Sequence, residues 1–170
     1  MPQNITHLIF GRHFNQEVNK LPQGLTHLTF GTYFNQKINN LPSSITHLIL
    51  CENFSQNVDL SLNVKYINLD CNNEYVINNL PNSVEELELN HNFNLELNNL
   101  PSSIKKIVFH EHVKYNVELN CLPNFVEFLQ LPRNYNKKIL RLPLGLKIIK
   151  CSKNYTYKSD FSNYDIEYYY

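Results

Sequence analysis

Three histidines recur at intervals of 20 residues, His7, His27 and His47. Imidazole nitrogens are common zinc ligands, so this spacing raises the question of a shared metal. If each histidine lies on the next strand of one sheet, the three rings form a flat row, which lacks the convergence that tetrahedral coordination requires. We therefore expect no metal at these residues.

A second group of potential ligands comprises Cys71, His91 and Glu111, with His110 and His112 beside them. Thiolate and imidazole ligands stacked in this way could capture zinc, but the expected setting is a set of exposed polar side chains where strands end. The four cysteines show no C-x-x-C spacing, and thiols stay reduced in a cytosolic chain. The sequence predicts no cofactor, no metal site and no disulfide framework.

Signatures of catalysis are missing from the sequence. It contains no H-E-x-x-H motif, no glycine-rich phosphate loop and no paired-carboxylate signature. Fifteen basic and fifteen acidic side chains balance, so charge gives no argument for nucleic acid or an anionic membrane. No stretch approaches the roughly 18 apolar residues of a membrane span, and no signal-peptide pattern opens the chain. We expect a soluble, cytoplasmic protein that is not an enzyme.

The histidines belong to a unit of about 20 residues that recurs along the chain. Leu-Pro marks it at Leu21-Pro22, Leu41-Pro42, Leu80-Pro81, Leu100-Pro101, Leu122-Pro123 and Leu142-Pro143, with Leu60-Ser61 as a degenerate copy and Met1-Pro2 in the same frame. Each unit continues as apolar-x-x-apolar-x-apolar-x-x-Asn, followed in most units by an aromatic residue, as in residues 84–93. Eight units fit, with one residue deleted before Val64 and two inserted before Leu122. Such self-similarity is typical of a solenoid.

Alternating apolar residues in each unit predict one short strand, and one strand per unit makes successive strands parallel neighbours. We expect strands near residues 6–10, 26–30, 46–50, 65–69, 85–89, 105–109, 127–131 and 147–151. Proline and paired asparagines disfavour a helix in the return segments. The predicted fold is a leucine-rich-repeat-like horseshoe, with one parallel concave β-sheet of about eight strands and little helix on the convex side. Residues 1–155 form this solenoid, and residues 156–170 form a Tyr-rich cap or tail.

The frame also assigns core positions. The convex segments should direct one apolar side chain each into the core, namely Val18, Ile38, Val58, Ile77, Leu97 and Ile139. An internal column of stacked rings is expected from Phe14, Phe34, Phe54, Phe93, Tyr135 and Tyr155. The asparagine after each strand, at positions 53, 72, 92, 134 and 154, is expected to satisfy buried peptide groups.

The segments Phe14–Pro22 and Phe34–Pro42, which read FNQEVNKLP and FNQKINNLP, resemble the FNIP repeat. This leucine-rich-repeat-like family is abundant in social amoebae and in amoeba-infecting giant viruses. The resemblance spans roughly residues 1–155 and implies a protein-binding role, in the host cytoplasm if the protein is viral. Many members carry an F-box before the repeats, which implies a ubiquitin-ligase adaptor. This chain starts inside a repeat, and we expect no F-box in it.

Side chains between the inward positions should face outward on the concave sheet, where solenoids usually bind partners. The residues before the central Leu form one row: His7, His27, His47, Tyr66, Glu86, Lys106, Phe128 and Ile148. The neighbouring row is Thr6, Thr26, Thr46, Lys65, Glu85, Lys105, Glu127 and Lys147. Its alternating charges fit either cross-strand ion pairs or a recognition stripe.

The frame also places Val108, Phe128 and Ile148 outside the core on consecutive units. An exposed apolar cluster usually marks a contact site, unless the Tyr-rich tail covers it. The leading hypothesis is a scaffold that binds a protein partner on its concave sheet, with an adaptor role as one option. The alternative is a structural or self-assembling protein that associates through an uncapped N-terminal strand edge.

Overall fold

The computed structural model describes residues 4–60, 63–90 and 92–169. These residues form one sheet of nine parallel strands whose spatial order equals their order in the chain. The strands are β1 (His7–Ile9), β2 (His27–Thr29), β3 (His47–Leu50), β4 (Tyr66–Leu69), β5 (Glu86–Leu89), β6 (Lys106–Phe109), β7 (Phe128–Gln130), β8 (Ile148–Cys151) and β9 (Asp165–Tyr168). One short helix, α1 (Glu74–Asn78), and one 3₁₀ helix (Lys158–Phe161) complete the elements. The predicted solenoid with little helix is confirmed.

The core follows the repeat frame. In strands β2 to β8 the residue at the centre of the repeat frame is buried, as Leu28, Leu48 and Ile67 illustrate. All six convex residues that the sequence directs into the core are buried as well: Val18, Ile38, Val58, Ile77, Leu97 and Ile139. Each repeat thus buries apolar side chains from both its strand and its return segment, and adjacent repeats seal one another from water.

The predicted column of rings exists on both sides of the fourth repeat. The Phe34 ring lies 6.1 Å from that of Phe14 and 6.3 Å from that of Phe54, centroid to centroid. In the fourth repeat the frame position of the ring belongs to Asn73, which is 6% exposed. Its side chain accepts a hydrogen bond from the Val76 amide and thereby caps the N-terminus of α1. The only α-helix in the described residues therefore forms where an asparagine replaces the aromatic residue.

The two-residue insertion changes which residue enters the column in the sixth repeat. The frame position belongs to Val113, which is buried, but the stacked ring is Tyr115. Its ring lies 6.2 Å from that of Phe93 and 6.3 Å from that of Tyr135. The column therefore continues through the insertion, because the longer segment brings the tyrosine two residues later into the same place.

The Tyr-rich tail forms the ninth strand, which the sequence did not predict. β9 pairs in parallel with β8 and directs Ile166 toward the core, in register with Ile149. Before it, Phe161 is fully buried and stacks on Tyr155 at 5.4 Å. The tail residues up to Tyr169 therefore extend the sheet in its own plane and cover the end of the stack.

The five asparagines after the strands are all exposed, so the peptide groups near them are not buried as predicted: Asn53, Asn72, Asn92, Asn134 and Asn154. The predicted bonding to the backbone is confirmed for two of them, since the Asn53 side chain donates to the Thr32 carbonyl at 2.8 Å and Asn72 Oδ1 accepts from the Asn94 backbone amide at 2.7 Å. The residue after the aromatic ring also bonds from repeat to repeat. The backbone amide of Asn35 donates to Asn15 Oδ1 at 2.9 Å, and the backbone amide of Ser55 donates to Asn35 Oδ1 at 3.0 Å. The residue after the aromatic ring lies beside the next repeat, so its side-chain oxygen can accept from the backbone amide there.

Candidate interaction surface

The register of the sheet places one side chain from each strand in a central outer row. Its members are His7, His27, His47, Tyr66, Glu86, Lys106, Phe128, Ile148 and Asp165. The first eight are the row that the sequence frame gives. Successive members are direct neighbours on parallel strands, so the row is continuous across the whole outer face. It changes from imidazole, through charged groups, to apolar side chains.

Beside this row lies a row of ion pairs. Glu85 accepts from Lys65 at 2.7 Å and from Lys105 at 2.9 Å, and Glu127 accepts from Lys147 at 2.7 Å. The predicted cross-strand ion pairs are confirmed. Hydrogen bonds from the two lysines lower the pKa of Glu85 to about 2. Because these groups are exposed and screened by water, the pairs contribute little to folding, and the row holds an ordered charge pattern.

The three histidines stack face to face. Ring centroids are 4.0 Å apart between His7 and His27 and again between His27 and His47, and Tyr66 continues the stack at 5.5 Å. Each imidazole Nδ1 lies 2.9 Å from the hydroxyl oxygen of the threonine before it. Partial burial, followed by the charges of the two flanking imidazoles, lowers the pKa of His27.

A polar network in the middle of the sheet was missed by sequence reasoning. The Tyr66 hydroxyl donates to the Glu88 carboxylate at 2.6 Å, and the side-chain amide of Asn90 donates to Asn68 Oδ1 at 2.9 Å. Asn68 is buried although its frame position faces outward. Burial and the bond to Glu88 raise the pKa of Tyr66 to about 12, so its hydroxyl keeps its proton. The available signal was Asn68 itself, an uncharged polar residue that the frame places beside Glu88 of the next strand.

The apolar residues of the C-terminal repeats divide between two rows. Phe128 and Ile148 are direct neighbours in the central outer row, whereas Val108 lies opposite Gln130 in the next row. All three are half-buried. Since β9 continues the sheet in plane, the described tail residues do not cover this cluster from above. The cluster is bordered by charged side chains, Lys106 on one side and Asp165 on the other.

The residues of the second group of potential metal ligands do not act as one site, because each has a different environment or bonding partner. Burial raises the pKa of the Cys71 thiol to about 12, which disfavours the thiolate that a metal needs. Glu111 accepts from Arg133 at 2.9 Å and lies 3.3 Å from His112 Nε2. His91 lies outside the described residues. Within the described part of the chain, no three His, Cys, Asp or Glu side chains are arranged to hold a metal ion.

A cleft of about 770 Å³ opens where β6 to β9 end. Its charged lining mixes Arg133, Lys150 and Lys153 with Glu111 and Glu167. The Tyr169 ring closes one side, with the Lys150 ammonium 5.1 Å from its centroid. Its described lining residues include no serine, cysteine or histidine that could serve as a nucleophile with a base beside it. Among the described residues there is also no helix long and apolar enough to cross a membrane.

Family comparison agrees with the repeat frame. The model of the FNIP Repeat matches residues 17–53, 54–92, 72–112 and 91–134. No curated protein matches the chain significantly. Among solved structures, the chain is similar to the giant-virus protein CroV588, described as a novel circular leucine-rich-repeat structure. The two share 36% sequence identity and a TM-score of 0.76, over 91% of this chain and 25% of the CroV588 chain. The chain thus spans about a quarter of that protein's length.

Proposed function

The chain belongs to the FNIP repeat family, and we propose that it is a protein-interaction scaffold that binds a protein partner through the outer face of its parallel sheet. Leucine-rich-repeat-like solenoids are generally protein-interaction scaffolds without enzymatic activity. The proposal includes no catalysis, no cofactor and no binding of nucleic acid or membrane.

One observation carries the proposal, namely the continuous central outer row. It presents imidazole, phenol, carboxylate, ammonium and apolar groups in a fixed order on a rigid sheet. A partner that contacts Tyr66, Glu86 and Lys106 in its middle would reach the histidines at one end and the apolar cluster at the other. Aromatic and apolar side chains bordered by charges match the composition of interface centres.

The apolar cluster provides the strongest anchor. Phe128 and Ile148 are adjacent and half-buried, so a partner side chain packed between them would remove the remaining surface from water. We propose the host or cellular cytoplasm as the place of action and an adaptor as one form of the role, since a rigid sheet can hold a partner without changing it chemically.

The test compares two single variants of the same repeat. Phe128→Asp places a charge in the centre of the proposed interface, whereas Phe125→Asp changes a turn residue that is 67% exposed. Both proteins are immobilised, and proteins from the native cytoplasm that bind them are quantified by mass spectrometry. We expect Phe128→Asp to lose a partner that wild type and Phe125→Asp both retain. Equal retention by all three proteins contradicts an interface at the apolar cluster.

A second candidate function is self-assembly, favoured by the exposure of Ile9. This residue is 76% exposed on β1, which pairs with β2 alone among the described strands. Unpaired strand edges with apolar side chains favour pairing with another chain. Light scattering over a range of concentrations distinguishes the two functions. A mass that rises with concentration and falls again in Ile9→Glu supports assembly, whereas a constant monomer mass supports the scaffold.

A further inference from the structure

The bonding of the threonines beside the histidines fixes where the histidine protons lie. The Thr26 hydroxyl donates to the Thr6 carbonyl at 3.0 Å, and the Thr46 hydroxyl donates to the Thr26 carbonyl at 3.3 Å. A hydroxyl has one proton, so each of these oxygens can only accept from the imidazole beside it. Neutral His27 and His47 therefore carry their proton on Nδ1. His7 has the same 2.9 Å contact to the Thr6 hydroxyl.

This proton placement leaves Nε2 of neutral His27 and His47 as a bare hydrogen-bond acceptor. The lone pairs belong to rings stacked 4.0 Å apart and nearly parallel, with 14° between their planes. They form a row of acceptors on the outer face. Parallel lone pairs do not converge on one metal ion, but they suit a row of separate N–H donors.

The strands that carry the three histidines hold no lysine or arginine. On β1, β2 and β3 the three histidines are the only titratable residues, and the other outward side chains there are threonine and isoleucine. On β4, Tyr66 is protonated and the adjacent Lys65 is bound to Glu85. On β5, Glu86 is bound to Lys106, and Glu88 accepts from Tyr66. A cationic group that approaches this end of the sheet therefore finds the histidine acceptors on β1 to β3 and the carboxylates of Glu86 and Glu88 on β5.

We infer that the row His7, His27 and His47 is a proton-gated contact surface for a basic segment of the protein partner, bound through its lysine or arginine N–H groups. This inference rests on the proposed function and names the partner chemistry at one end of the central outer row. When the imidazoles are neutral, their Nε2 atoms accept from the basic segment. When they are protonated, the same atoms become charged donors and repel it.

Stacking opposes protonation of the middle ring. The rings of His7 and His47 each lie 4.0 Å from that of His27, so a charge on either neighbour opposes a charge on His27. The lowered pKa of His27 has this same cause after partial burial. His27, at the centre of the row, therefore stays an acceptor at neutral pH.

The proton placement is tested by nitrogen-15 NMR of the histidine rings at about pH 8, where the imidazoles are neutral. We expect Nδ1–H tautomers for His27 and His47, the opposite of the form that usually predominates in free imidazole side chains. Thr26→Val removes the acceptor, so it should return His27 to the Nε2–H form. Thr29→Val, on the same strand but in another row, should leave the tautomer unchanged. Nε2–H tautomers in the wild-type protein would overturn the inference and leave the proposed scaffold function intact.

The contact itself is tested with two fluorescent probe peptides, one of alternating lysine and serine and one of alternating glutamate and serine. We expect the lysine peptide to bind at about pH 8 and to lose about tenfold in affinity at about pH 5, with the glutamate peptide showing the opposite trend. His27→Gln keeps hydrogen-bonding groups that do not titrate, so it should reduce the pH effect. Circular dichroism at both pH values verifies the fold. Lysine-peptide binding that is absent, or equally strong at both pH values, would overturn the inference.

Discussion

The interruption of the aromatic column at Asn73 gives a quantitative prediction about stability. The Asn73 side chain is 6% exposed and makes two bonds, accepting from the Val76 amide at 3.0 Å and donating to the Gln56 carbonyl at 2.9 Å. Asn73→Ala removes a helix cap, which costs about 1 kcal/mol, and leaves a carbonyl without its partner, which costs about 1–3 kcal/mol. We expect the free energy of unfolding to fall by about 2–4 kcal/mol.

The two bonds can be separated by a further variant. Asn73→Ser keeps an oxygen that accepts from the Val76 amide, but its side chain is too short to reach Gln56. It should therefore restore the capping part of the loss, about 1 kcal/mol. Urea unfolding followed by circular dichroism measures all variants, with Asn57→Ala as an exposed control expected within about 0.5 kcal/mol of wild type. An Asn73→Ala protein as stable as that control would refute the reasoning, because buried bonds of this kind would then contribute nothing.

Two further predictions concern repeat spacing and acid stability. A Cβ on Gly31 would lie 2.3 Å from the Gly11 carbonyl oxygen, whereas one on Gly24 would have open space. Gly31→Ala should therefore lower the free energy of unfolding by about 1–3 kcal/mol. Gly24→Ala should leave it unchanged or raise it slightly. Thermal unfolding distinguishes them, and equal midpoints would contradict the close approach. Because the folded-state pKa of Glu85 is about 2, below its usual 4.5, its stabilising effect is present above about pH 4.5 and is lost as the pH falls toward 2. Glu85→Gln should reduce the fall of the unfolding free energy between about pH 4.5 and pH 2 more than the exposed control Glu52→Gln does. The same pH dependence in both variants would exclude a stabilising role of the Glu85 ion pairs.

Sequence reasoning identified the outward rows by residue because strand alternation is strict. A one-residue shift in register would turn every side chain to the other face, so the buried central leucines fix which residues point outward. The pairing of Lys65 with Glu85 followed from that register. The sequence pattern could not predict which nitrogen of His27 and His47 carries the proton, since this depends on where two threonine hydroxyls point in the folded sheet.

What the sequence by itself determined is the periodic part of the protein. A unit of 20 residues with alternating apolar positions requires one strand per repeat, parallel pairing and a common core, because each repeat can bury its apolar face only against the next. Tertiary structure decided what breaks the period: Asn73 caps a helix in place of a stacked ring, Tyr115 replaces Val113 in the column, and residues 165–168 add a ninth strand. The physical reason is that these outcomes depend on which neighbouring repeat offers a bonding partner or an open edge, and a local pattern contains no record of that neighbour.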